Sequence, residues 1–299
     1  MRVVDYWRLP RGINVLMGTL AVPAGALLVI DFSETAALHA VLLHALSVAG
    51  FMAGWNTLND VNDLEADRIN RPDRPIPSGQ VSLEAARRFG LLMMGISVAA
   101  LVGIIIHAER TFDGLVWWDS IVIWLMALFL FSSYEYDGLP FTPCLKRQGF
   151  KGNLAISVLV SVLLVFGAAA VGEGLEPLPW IVALAALAIN TSREIIKDVQ
   201  DLAGDTDRTT LPMDIGPEQA RTYAWVCSLV GMVFLVLPYG LGMLPKGAIV
   251  MQLPALLSVI MAKPKLISGE DARASAHLKA ALFLGLLGFI ASVLLTDFF

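Results

Sequence analysis

Nine apolar runs follow one another along the chain, near residues 12–31, 36–58, 84–106, 116–133, 153–171, 179–200, 219–240, 247–262 and 277–296. A helix of roughly 17 to 25 apolar residues matches the thickness of a lipid hydrocarbon core. Inside that core every backbone amide must find its partner within the segment, which a helix achieves and an open strand does not. With 57% hydrophobic and only 16% charged residues, the chain lies well outside soluble composition, where about 25% of residues are charged. The expected fold is therefore all-α: a polytopic membrane bundle of nine transmembrane helices, forming a single domain over residues 1–299. The eighth run is the shortest.

Basic residues give the orientation, because they collect in cytoplasmic loops. With the N-terminus inside, 19 of the 21 Lys and Arg fall on the inner side and only Arg110 and Lys246 outside. The expected location is the cell membrane, multi-pass, with the N-terminus and active site cytoplasmic. Trp7, Trp55, Trp117, Trp118, Trp180 and Trp225 sit near expected helix ends, as interfacial aromatics do, and Trp124 does not. Net charge is −5 and the basic residues are interleaved with carboxylates, a pattern that excludes nucleic acid as a partner. Cys144 and Cys227 lie in different environments and form no metal or disulfide framework. Ala24-Gly25-Ala26 resembles a signal cleavage site, but the run containing it reads better as a first span. No obligate protein partner is evident.

Two acidic stretches interrupt this apolar pattern. Asp60, Asp63 and Asp67 recur at i, i+3, i+7, as do Asp198, Asp201 and Asp205, a spacing that predicts one helix face each time. Like charges stacked about 4 Å apart repel by roughly 4 kcal/mol at an effective dielectric near 20. Two such stripes, both at inner helix ends, imply a metal cage. Basic residues accompany them. Arg71 and Arg74 stand in a loop that Pro72, Pro75 and Pro77 keep from helix. They either neutralise the aspartates or grip a polyanion that the metals also hold, and the liganding spacing favours the second. Arg11 and Asn14 open the first span, either as interfacial residues or as donors to an anion. Lys146 is either an inner-side marker or a point-charge partner for phosphate. Around Arg193, Glu194 and Lys197 charge intrudes about two turns into the sixth span, a functional signal by default. His39 and His44 are five residues apart, share no helix face and read as packing residues. Spans seven to nine read as packing elements.

Carboxylates and basic loops at one end of an apolar bundle suit a substrate with a diphosphate head and a hydrocarbon tail. Magnesium prefers oxygen ligands and commonly bridges carboxylates to phosphates. Two such ions would stabilise a departing diphosphate, while the bundle shields the allylic cation from water.

Asn59-Asp60-x-x-Asp63-x-x-x-Asp67 resembles the first aspartate motif of the UbiA-type intramembrane prenyltransferases, and Asp198-x-x-Asp201-x-x-x-Asp205 resembles their second. Within that superfamily Arg71 to Gly79, Arg193 to Asp198 and Thr210-Leu211-Pro212 are most similar to the archaeal digeranylgeranylglyceryl phosphate synthases. The resemblance implies two Mg2+ ions, one held by Asn59, Asp63 and Asp67 and the other by Asp201 and Asp205, with Asp60 and Asp198 nearby. It makes Asp63, Asp67, Asp201 and Asp205 catalytic and makes Arg11, Asn14, Arg71, Arg74, Lys146 and Lys197 substrate-binding, the basic residues holding diphosphate; the acceptor's phosphate would need a second basic pocket, for which Arg11 and Lys151 are the candidates. Donor and acceptor would be a prenyl diphosphate and a lipid-like alcohol, geranylgeranylglyceryl phosphate. Relatives carry a Tyr one helical turn before the lysine of this loop, whereas Tyr134 and Tyr136 here precede Lys146 by ten residues or more. Two other readings stay open: prenylation of an aromatic acceptor, which shares the ionisation step, and a cation transporter. Against the transporter, the carboxylates cluster at one membrane face rather than at the midplane.

Overall fold

A computed structural model describes residues 7–30, 35–112, 117–137, 142–202 and 209–295. Among them, nine helices have 15 residues or more: α1 (Gly12–Leu27), α2 (Thr35–Asn62), α4 (Leu83–Thr111), α5 (Trp117–Glu135), α6 (Phe150–Ala169), α7 (Pro177–Asp201), α9 (Pro217–Gly240), α10 (Leu253–Ile267) and α11 (Asp271–Leu294). Two shorter helices are α3 (Leu64–Asn70), which carries the end of the first acidic stretch, and α8 (Leu211–Ile215), which comes after the second. The only β pairing among the described residues is a pair of isolated bridges, Asp137 with Pro143 and Gln148 with Thr209.

Seven of the long helical segments are long and apolar enough to cross a membrane. Gly12–Leu27 is apolar but shorter. Pro177–Asp201 has the length, but its C-terminal half carries Arg193, Glu194, Lys197, Asp198 and Asp201. The outer surface is the reverse of a soluble protein's. Leu91, Leu92, Met126, Phe129, Val233 and Leu257 are all more than half exposed, an arrangement that lipid tolerates and water does not. The expected spans and the observed helices agree closely. Ser82 caps α4 by accepting from the Ala85 amide at 3.2 Å.

Neighbours in sequence pack as neighbours in space, and α11 returns to α1, closing the ring. One core cluster, built on α6, α7 and α9 to α11, is aliphatic. The other, between α2, α5 and α6, is aromatic, with Phe51, Trp55, Trp124, Phe131 and Phe166. Trp124, away from any interface, is buried and donates to Ser97 Oγ at 3.1 Å. His44 is buried between Ala40 O and Ser120 Oγ, a packing histidine.

Small residues set how closely the helices approach. A Cβ on Gly54 of α2 would lie 2.9 Å from Gly90 O of α4, the close crossing that small residues permit in membranes. Helices α1 and α6 come closer still: a Cβ on Gly25 would sit 1.9 Å from Leu164 O, and one on Gly167 2.0 Å from Val22 O. This crossing brings the start of α1, and Arg11 with it, against the bundle. Gly25→Val should push α1 away and cost at least about 1–3 kcal/mol, as overpacking does. Thermal unfolding of detergent-solubilised variant and parent measures it, and an unchanged melting temperature would refute the crossing.

Candidate active site

The first acidic stretch does not form one uninterrupted helix. Helix α2 ends at Asn62, Asp63 adopts φ −92, ψ 17, and α3 resumes at Leu64. Hydrogen bonds from Asp63 N to Asn59 O (2.8 Å) and from Asp67 N to Asp63 O (2.9 Å) carry the coil through the break. The expected single face is thereby split. Asp60 and Asp67 stay on one side and share Arg74, while Asp63 turns to accept from Lys146 Nζ at 2.7 Å and from Asn59 Nδ2 at 2.9 Å.

The proline-rich loop is ordered by its own backbone. Ser78 N bonds Arg74 O at 3.0 Å and Val81 N bonds Pro75 O at 2.9 Å, while Ile76 and Val81 pack with Leu9, Val61 and Ala86 in a small core of their own. That packing holds two guanidinium groups over the carboxylates. Arg74 Nη1 reaches Asp60 at 3.0 Å and also binds Asp67. Arg71 Nη2 reaches both oxygens of Asp201, at 2.7 and 2.6 Å, and so joins the loop after the first motif to the second motif. Arg11 enters from α1: it binds Asp60 and donates to Asn59 Oδ1 at 3.0 Å. Its backbone is left-handed, φ 56, and Asn56 Nδ2 fixes the turn through Pro10 O at 2.9 Å. Non-glycine residues hold such a conformation at a cost of roughly 1–3 kcal/mol, typically where function requires it.

One cavity of about 830 Å3, part of it open to solvent, is walled by both acidic motifs: Asn59, Asp63 and Asp67 from the first, Asp198 and Asp201 from the second. Arg11, Arg71, Arg74, Lys146 and Lys197 share that wall. Asp60 does not. It is 2% exposed and turned to Arg11 and Arg74 rather than to the cavity. Asn14 also lies elsewhere: it accepts from Lys279 at 2.9 Å and lines a separate apolar cavity. Asp205 lies outside the described residues. Tyr134 reaches the cavity wall despite its distance from Lys146 in sequence, whereas Tyr136 packs edge-on to Phe131.

Glu135, at the end of α5, is a site residue that the motif spacing did not point to. Its side chain is fully buried and accepts from Lys146 Nζ (2.7 Å), Asn62 Nδ2 (3.0 Å) and Asn59 Nδ2 (3.0 Å). Its one available signal was an ionisable group at the end of an apolar helix. The partner asparagines are more than 70 residues away in sequence, so only the fold discloses it. Burial disfavours the Lys146 charge, but Glu135 and then Asp63 outweigh it and hold its pKa above the usual lysine range. Burial pushes the Asp67 carboxyl up, with Arg74 opposing.

Whether these residues suit a divalent ion is decided by their chemistry. Among the described residues no three carboxylates converge at liganding distance, because basic side chains hold Asp60, Asp63, Asp67 and Asp201. The wall is nevertheless rich in oxygen donors, and Asn153 adds one more. Its Nδ2 donates to Asp198 Oδ2 at 2.7 Å, while its buried Oδ1 has no hydrogen-bond partner among the described residues. An all-oxygen set of this kind fits magnesium better than a softer metal.

A ring of apolar helices around such a two-motif cavity is the architecture of an intramembrane prenyltransferase, and the UbiA prenyltransferase family matches residues 20–287. The chain belongs to that family. The digeranylgeranylglyceryl phosphate synthase of Methanopyrus kandleri is 34% identical over 295 residues, covering 97% of this chain and 99% of its own length. That of Pyrococcus horikoshii is 31% identical, covering 85% and 84%. Among solved structures, a digeranylgeranylglyceryl phosphate synthase superposes with a TM-score of 0.65 at 22% identity, over 97% of this chain and 98% of its own. A UbiA homologue from Archaeoglobus fulgidus bound to GPP and Mg2+ gives 0.62 at 19% identity, over 94% and 99%. These structural likenesses establish the fold.

Two outcomes test the buried ion pair. Glu135→Gln should cost about 3 kcal/mol, since it strands a buried ammonium, and adding Lys146→Met should restore part of that loss in thermal unfolding. Because the folded Lys146 pKa is raised, its contribution is full below about 10.5 and lost as pH rises through the folded value. The parent should therefore lose stability more steeply than Lys146→Met in alkaline melts. Parallel curves would refute the pairing.

Proposed function

We propose that the chain transfers a prenyl group, a geranylgeranyl unit, from its diphosphate to the free hydroxyl of geranylgeranylglyceryl phosphate, forming an ether and releasing diphosphate and a proton. Full-length similarity to synthases named for that product supports the choice of acceptor, and the carboxylate cavity bordered by apolar cavities supports the chemistry. The observation that carries the reading is the Arg71 to Asp201 bridge, which brings the two acidic motifs onto one wall.

In this reading Asn59, Asp63 and Asp67 would hold one Mg2+, and Asp198, Asp201 and Asp205, with Asn153 Oδ1, would hold a second. Bound there, the metal supplies positive charge to the departing diphosphate. Arg11, Arg71, Arg74 and Lys146 would donate to diphosphate oxygens, where guanidinium forks bind two oxygens at once. Asp60 keeps Arg11 and Arg74 aimed. The donor's tail occupies the apolar cavity of about 670 Å3 lined by Phe51, Trp55, Trp124 and Phe166. Aromatic faces there attract the developing allylic cation, and the apolar lining keeps water from quenching it. Ile156 lines this cavity, the carboxylate cavity and the larger apolar cavity alike, so the reacting carbon and the hydroxyl meet beside it. Nine spans, with the N-terminus and site facing the cytoplasm of the cell membrane, complete the proposal; the bias of 19 basic residues in 21 supports that orientation.

Detergent-solubilised protein incubated with labelled geranylgeranyl diphosphate, Mg2+ and candidate acceptors tests this directly. Product should form with geranylgeranylglyceryl phosphate and vanish on chelation. Asp63→Ala and Asp201→Ala should each lower kcat by roughly 10²–10³-fold, the scale for losing one electrostatic element of a site. Product only with aromatic acceptors, or activity that survives chelation, would sink the proposal.

A further inference from the structure

The larger of the two apolar cavities described above, about 1130 Å3 including space open to the surroundings, carries an unexpected charge. Its floor is aliphatic and aromatic, with Met17, Ala21, Leu164, Ile189, Leu286 and Phe289. At its head stand Arg11, Arg193, Lys197 and Lys279, with a single carboxylate, Glu194. Glu194 is shared by Arg193 Nη1 at 2.8 Å and Lys197 Nζ at 2.5 Å, and Arg11 is taken by Asp60 from behind. Lys279 donates to Asn14 Oδ1 at 2.9 Å and has no carboxylate within 4.0 Å among the described residues. Four cations thus meet two carboxylates. Arg193 Nε is buried and unpartnered among the described residues, a second sign of incomplete compensation.

Two surplus positive charges at the head of a hydrocarbon-lined cavity are costly in themselves, since a bundle of this kind keeps ionisable groups paired. Their complement is a dianion on a long apolar tail. A phosphate monoester carries about −1.5 to −2 at neutral pH. The donor's diphosphate does not account for them, because Arg193 and Lys279 line the apolar cavity and not the carboxylate cavity. Arg11, Glu194 and Lys197 line both, so the two headgroups would lie side by side.

We propose that Arg193 and Lys279, steadied by Asn14, bind the phosphate monoester of the acceptor while its tail fills the cavity below, making these residues the determinants of selection for a phosphorylated lipid alcohol. This rests on the acceptor assigned above. The glycerol hydroxyl, between phosphate and tail, then faces the wall shared with the carboxylate cavity. Lys279 thereby gives the last helix a substrate-binding role, where the sequence alone suggested packing.

Lys279→Met should raise KM for geranylgeranylglyceryl phosphate by about 10- to 100-fold, the loss of one hydrogen bond to a charged group, and leave KM for the prenyl diphosphate within twofold. Selectivity for the phosphorylated acceptor over its dephosphorylated alcohol should fall by the same factor, and Lys279→Arg should restore most of both. Arg193→Gln should behave like Lys279→Met. A rise in donor KM instead, or unchanged selectivity in a variant that melts like the parent, would overturn the assignment. Binding separates this from the reaction itself. Without donor or metal, a long-chain glycerol ether phosphate should raise the parent's melting temperature more than its dephosphorylated alcohol does, and Lys279→Met should abolish the difference. If that difference is seen but no ether forms, the proposed reaction fails and the phosphate site stands; if both lipids shift the parent equally, the site fails whatever the activity.

Discussion

Buried carboxylates in an apolar bundle persist only beside compensating positive charge, and nearly every feature near the two acidic motifs serves that compensation. Asp60 is all but buried, and two arginines from different segments hold it. Glu135 is fully enclosed and holds Lys146, which in turn holds Asp63. Removing water makes each pairing stronger and each unpaired group costlier. The pairing also ties the fold together. Arg11 joins α1 to α2, Lys146 joins the loop after α5 to the break after α2, and Arg71 joins the proline-rich loop to the end of α7.

Those same pairs would make the site responsive to the polyanion and metal of the proposed reaction. Lys146, Arg74 and Arg71 are paired with Asp63, Asp67 and Asp201, so in the proposed reaction an exchange of partners would conserve charge: carboxylate to metal, basic group to phosphate. A rigid loop matters for such an exchange. Pro72, Pro75 and Pro77, together with the small core of Leu9, Ile76 and Val81, hold Arg71 and Arg74 in position without help from the carboxylates alone. Positioning groups in advance is the main contribution a protein makes to charge stabilisation.

Apolar space is divided as well as charge. The aromatic cavity beside α2 and α5 and the aliphatic cavity beside α1 and α11 share Met52, Asn56, Ile156, Val160 and Leu163 as a partition. Only the aliphatic one has cations at its head beyond those facing the carboxylates. In the proposed reading two tails meet at that partition, with their headgroups held by different sets of basic residues.

Membrane class and the approximate limits of the apolar helices were legible from hydropathy, because in lipid a backbone must close its own hydrogen bonds and each helix is set by local residues. The two motifs were legible too, since i, i+3, i+7 spacing is a local property. The break at Asp63, the retreat of Asp60 behind Arg11 and Arg74, and the roles of Glu135 and Lys279 were not. Each depends on partners tens to hundreds of residues away, as in the contact of Asn14 with Lys279, 265 residues apart. Local sequence decides which residues form helices and where charge is available. Which charges face each other, and which are left over to receive a substrate, is decided only when the helix ring closes, because electrostatic pairing in an apolar medium depends on distance in space.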